Sequence, residues 1–172
     1  MSELTELHKT LVTTPSDLEI RTERILDAPP EVVFQYWVDP ELLVQWMGPD
    51  ELEMTVEEYD VRPGGKYRYI HRDPGGNEYI FFGEFLEVEE PNLIVQTFSF
   101  VMEPQPPPSI DRLDLIPIEG GQTRLVTLTT FEAKEHRDGL LQSGMETGVN
   151  EGYAKLDALL REPGSSQGVP GT

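Results

Sequence analysis

A chain of 172 residues without a single cysteine has room for one core and offers no disulfide, no thiolate metal ligand and no thiol nucleophile. Its 32 acidic residues against 13 basic ones give a formal charge of −19, which repels phosphate backbones and anionic bilayers, so neither nucleic acid nor a membrane surface is an expected partner. Met1 to Ser16 has neither the basic start nor the apolar run of a signal peptide, and no stretch reaches the roughly 18 apolar residues of a membrane span, so the cytoplasm is the expected compartment.

Residues 1–17 read as a weakly ordered extension, in which the spacing of Leu4, Leu7 and Leu11 suits a turn or two of helix or no fixed structure. From Leu18 to Leu26 apolar and polar residues alternate as in a half-buried strand, and Asp27-Ala28-Pro29-Pro30 ends it. Pro30 suits the first turn of a helix whose Val33, Phe34, Trp37 and Val38 share one face. Asp39 caps a second helical segment with Pro40 at its first position, and Gly48-Pro49 stops it. Six strand candidates follow, at 54–61, 65–72, 78–88, 92–102, 110–118 and 122–131, separated by turn sequences such as Arg62-Pro63-Gly64-Gly65 and Asp73-Pro74-Gly75-Gly76-Asn77. Four prolines between Glu103 and Ser109 cannot donate to a ladder and predict a longer loop at the sheet edge or a pocket mouth. Residues 134–161 return to helical spacing through Met145, Val149, Tyr153, Leu156 and Leu160, and 162–172 are too polar to offset the entropy of ordering. With no βαβ alternation, the pattern predicts an α+β fold in which helices cover one face of an antiparallel sheet.

Several motifs sharpen this expectation. Ile25-Leu26-Asp27-Ala28-Pro29, Trp37 through Asp39-Pro40, Trp46-Met47-Gly48-Pro49, Arg62-Pro63-Gly64-Gly65-Lys66-Tyr67-Arg68, Gly83-Glu84-Phe85-Leu86-Glu87-Val88, Pro91-Asn92-Leu93-Ile94 and the closing Gly144-to-Gly152 segment occur in the order in which the sequence resembles the START-like (SRPBCC, Bet v 1-like) superfamily, and within it the activator of heat-shock protein 90 ATPase homologue family. The resemblance runs over residues 18–161. It implies a helix-grip fold: a curved antiparallel sheet wrapped around a long C-terminal helix, with a short helical pair after the first strand. Proteins of this kind include hydrophobic ligand carriers, polyketide cyclase relatives, self-sacrificing resistance proteins and chaperone activators, so fold alone does not select the function. The family often carries a second aromatic near Val149, and the smaller residue here implies a larger pocket.

A bent sheet that one helix cannot fill leaves a cavity, whose lining comes from inward positions. Alternation turns Tyr67, Tyr69 and His71 inward and Lys66, Arg68 and Arg72 outward. Tyr79, Phe81 and Phe85 continue that face, although Gly83 invites a bulge. On the next strand either Val95, Thr97 and Ser99 or Gln96, Phe98 and Phe100 point inward, and the first set is the one expected to line the pocket. Met145, Val149 and Tyr153 complete it from the last helix. Trp37, Trp46 and Met47 suit packing at one end of the sheet, with Trp37 also counted as lining. Gly144, Gly148 and Gly152 step along one flank of that helix at a cost of about 1 kcal/mol each in propensity, which close packing or room for a ligand must offset.

His71 beside two tyrosines is the one arrangement suited to acid–base work, and a histidine hydrogen-bonded within a core is the commoner use of such a residue. His8 and His136 have no metal-ligand spacing, the carboxylates do not form a hydrolytic pair, and neither Gly64-Gly65 nor Gly75-Gly76 opens a helix to cradle phosphate. No catalytic residue, metal or cofactor is therefore expected. The leading expectation is a monomer or homodimer that binds or carries a small hydrophobic or aromatic molecule. A cyclase- or hydrolase-type enzyme using the same pocket and a module that activates a chaperone ATPase are the alternatives.

Overall fold

A computed structural model describes residues 9–48 and 50–161; the polar segment 162–172, expected to be unordered, lies outside the described residues. The chain runs β1 (Leu11–Thr13), β2 (Glu19–Leu26), α1 (Pro30–Val38), α2 (Pro40–Leu43), β3 (Glu53–Tyr59), β4 (Lys66–Arg72), β5 (Glu78–Glu89), β6 (Leu93–Phe100), β7 (Ser109–Ile118), β8 (Gln122–Thr130), α3 (Lys134–Gln142) and α4 (Met145–Arg161). All strands join one antiparallel sheet in the order β1-β2-β8-β7-β6-β5-β4-β3, so β3 to β8 form a meander and β2 closes against β8. With the helical pair after β2 and the long helix at the C-terminus, this is the helix-grip architecture.

Two expectations are corrected. Leu11, placed in a turn of helix or unordered chain, lies in β1, which pairs with Thr22 and its neighbours in β2; Leu11 itself is 57% exposed, so no core-facing pattern announced the strand. The helix foreseen from 134 to 161 is two helices. Gly144 between them has φ +90, a left-handed conformation that stops α3 and reorients the chain before α4.

The helical pair forms as its sequence dictates. Pro30 occupies the first turn of α1, and Asp39 accepts a hydrogen bond from the Glu41 backbone N–H at 2.9 Å to start α2. Val33, Phe34, Tyr36 and Trp37 are buried, the Trp46 indole donates to the Tyr36 carbonyl at 2.9 Å, and the Trp37 and Trp46 rings lie 4.6 Å apart. This block joins Leu26, Tyr67, Phe85, Ile94, Leu115, Leu125 and Leu156 in a single core.

Gly83 does not open a bulge: β4 and β5 pair without interruption from Lys66↔Glu84 to Arg72↔Glu78, and the register shift falls later, between Phe85 and Glu87. Its inward position is instead roofed by Tyr67, whose hydroxyl donates to the Thr97 carbonyl. A methyl group at residue 83 would come within 2.1 Å of that carbonyl and 2.7 Å of the tyrosine ring. Gly83→Ala is therefore expected to lose about 3 kcal/mol in urea denaturation, the upper range for overpacking; an unchanged midpoint would contradict the close approach.

Candidate functional site

The concave face of the sheet and the two C-terminal helices enclose a cavity of about 1010 Å³. Its floor follows from strand register. Ile20 and Thr22 of β2 face Thr129 and Thr127 of β8, which face Asp111 and Leu113 of β7, which face Gln96 and Ile94 of β6. Opposite register positions share a face, so one parity runs through all four strands. Trp37, Trp46 and Met47 close one end, and Met145, Gly148, Val149, Gly152 and Tyr153 of α4 lie across the top. The rim is drawn from exposed connections: Glu51 before β3, Asp73 after β4, Met102 and Pro107 between β6 and β7, and Ser143 and Gly144 between the last helices.

One wall is an aromatic ladder. Tyr67 stacks on Tyr69 with centroids 5.9 Å apart, Tyr69 lies 5.4 Å from Phe81, and Phe81 lies 5.4 Å from Phe98 and 5.2 Å from Phe100. His71 meets Tyr69 edge-on at 5.4 Å. A Cβ at Gly48 would approach the imidazole to 2.4 Å, so the chain after α2 presses directly on that ring.

Of the sequence candidates, Trp37, Tyr67, Tyr69, His71, Tyr79, Phe81, Met145, Val149 and Tyr153 line this cavity. Phe85, Val95 and Thr97 do not. Phe85 is fully buried, 5.2 Å from the Tyr67 ring and 5.6 Å from Tyr59, and belongs to the packed core. Val95 and Thr97 lie on the other face of β6, because the pairings Phe81↔Phe100 and Phe85↔Gln96 turn Gln96, Phe98 and Phe100 inward; Thr97 accepts a hydrogen bond from the Glu84 backbone N–H. Alternation supplied the two parities of this strand, and only its neighbour selects between them.

Burial sets the electrostatics. It drives the hydroxyls of Tyr59, Tyr67 and Tyr69 far above the ordinary tyrosine value and that of Tyr153 up to about 12, so all four stay protonated. His71 is lowered to about 4, first by burial and then by the Lys155 ammonium, and is neutral at physiological pH. Its Nδ1 has no hydrogen-bond partner among the described residues. Asp111 is raised to about 6 by burial, partly offset by a hydrogen bond from Thr129.

Asp111 is the residue that sequence reasoning passed over. The signal was present, since Asp111 alternates with Leu113 and Leu115 and must share their inward face, but an aspartate in so acidic a chain reads as surface charge. Thr22, Thr127 and Thr129, on the same parity, were missed because threonine suits either face of a strand. Among the described residues no group of three or more His, Asp or Glu side chains is placed to hold a metal ion, and no helix is long and apolar enough to cross a membrane.

Comparison with known proteins agrees with this architecture. A solved protein of Rhodobacter sphaeroides superimposes with a TM-score of 0.81 at 25% identity, over 88% of this chain and 97% of that one. Protein Ms6760 of Mycobacterium smegmatis gives 0.81 at 27% identity over 90% and 98%, and an Arthrobacter aurescens protein 0.80 at 27% over 94% and 97%. No curated protein matches the chain. The sequence pattern that defines the family described as "Activator of Hsp90 ATPase homolog 1-like protein" matches residues 27–161, the span that carries α1 to α4 and every inward strand but β2, and the chain belongs to that family.

Proposed function

We propose that this protein binds or carries a small hydrophobic or aromatic molecule in the cavity between its sheet and its C-terminal helices, within the cytoplasm. The observation that carries this reading is the unfilled volume of about 1010 Å³ beside a continuous wall of aromatic rings. Apolar surface left facing such a space gains free energy when a guest covers it, and a cavity of this size matches a drug-sized molecule. The neutral histidine and protonated tyrosines supply polar contacts that orient a guest without charging it. Chaperone ATPase activation, the activity in the family's description, would need no such interior.

Native mass spectrometry of gently purified protein is expected to retain a non-covalent small molecule. A panel of aromatic and aliphatic compounds should include one that, at about a hundredfold excess over its Kd, stabilises the fold by roughly 2.7 kcal/mol and raises Tm by roughly 5–10 °C. Val149→Trp, which places a large ring in the space above the sheet, should fold and lose that response. A full response in the tryptophan variant would move the site elsewhere, and consumption of the bound compound would replace carriage by catalysis.

A further inference from the structure

The polar groups along the cavity are unbalanced in charge. Among the described residues, two buried side-chain atoms of its lining lack a hydrogen-bond partner, Asp111 Oδ1 and His71 Nδ1. Above about pH 6 the Asp111 carboxylate is ionised with nothing to neutralise it, and a desolvated carboxylate is costly unless paired. Among the described residues no cation is placed to neutralise it. Arg112, the sole lysine or arginine on the lining among the described residues, donates through Nε and Nη2 to Asp114, and Arg24 is held by Asp157. Tyr67, Tyr69 and Tyr153 lie close enough to Asp111 to feel its charge, and aromatic faces attract cations. The formal charge of −19 further favours a cationic guest over an anionic one.

Resting on the reading of this cavity as a ligand site, we propose that its guest is a lipophilic amine, whose protonated nitrogen donates to Asp111 Oδ1 while its apolar body lies among the rings of Tyr67, Tyr69, Phe81 and Phe98. The nitrogen completes a charge pair that the fold leaves open, and the rings cover the carbon skeleton.

The test is calorimetry on the full chain at neutral pH with three probes of one shape: 2-naphthylmethylamine, 2-naphthylmethanol and 2-naphthoate. The ammonium is expected to bind at least about tenfold more tightly than the alcohol, and the carboxylate most weakly. Asp111→Asn should bring the amine to the affinity of the alcohol and leave the alcohol unchanged; Asp111→Ser is read in the same way if the first variant fails to fold. An amine no tighter than the alcohol overturns the inference while leaving the cavity a ligand site. A preference that survives loss of Asp111 also overturns it, since Glu51 or Asp73 at the rim would then hold the nitrogen. If none of the probes binds, the cavity reading fails and the amine with it.

Discussion

Asp111→Asn is expected to raise the unfolding free energy near neutral pH by on the order of 3 kcal/mol and to uncover a steep rise of stability with pH between about 4 and 6.5. Two titrating groups of the cavity are shifted in opposite senses, and their effects oppose each other. Asp111 is raised from 3.8 to about 6. Between those values the folded state keeps a proton that the unfolded chain has released, so stability falls as pH rises through the interval. His71 is lowered from 6.5 to about 4. Across that interval the unfolded chain holds a proton that the folded state refuses, so stability is lost as pH falls. In the wild-type protein the two slopes largely cancel.

The groups facing Asp111 are Tyr67 and Tyr69 from β4, Gln96 from β6, Thr129 from β8 and Tyr153 from α4; Lys155 acts on His71. None of the tyrosines titrates below neutrality, so they leave the window clear. His71→Gln should expose the opposite slope, with stability falling from pH 4 to pH 6. Urea denaturation over a pH series measures both, read as differences from the wild type so that repulsion within the acidic surface drops out. Curves for Asp111→Asn and wild type that run parallel through the window would show that Asp111 is not raised.

The second large effect lies in the clamp between the sheet and the last helix. Arg24, 6% exposed on the inward parity of β2, donates through Nε at 3.2 Å and Nη2 at 2.5 Å to Asp157 Oδ2 on α4, and through Nη1 at 2.9 Å to Thr10 Oγ1. Breaking a buried ion pair strands the surviving charge, so Arg24→Met and Asp157→Leu should each cost about 3–5 kcal/mol. The double variant replaces both charges by apolar groups and should recover most of the loss. A double-mutant cycle in urea checks it: two losses that simply add would mean that the partners act independently.

How far the sequence carried depended on whether one strand's pattern sufficed. Strands β3 to β8 and the helical pair were legible because alternation and glycine–proline turns are local signals. Leu11–Thr13 was not, since an edge strand of three residues buries too little to leave a pattern. The faces of β6 stayed open because both parities carry core residues, and only pairing with Phe81 and Phe85 decides between them. Gly144 was read as one of three glycines packed along a helix, whereas its positive φ breaks that helix. Arg24 and Asp111 occupied inward parity in plain view; what concealed them was the expectation that charge belongs outside, which fails where a buried partner compensates, as Asp157 does for Arg24.

The cavity's walls and its rim are built from different kinds of chain. Paired strands fix the floor, where a one-residue slip would turn every side chain over. The entrance belongs to unpaired segments around Glu51, Met102, Pro107 and Ser143, where substitution and insertion meet far less resistance. The make-up of the mouth is thereby uncoupled from foldability. A few entrance positions can therefore be edited while the scaffold stays intact, which makes the fold a tractable starting point for tailored small-molecule receptors.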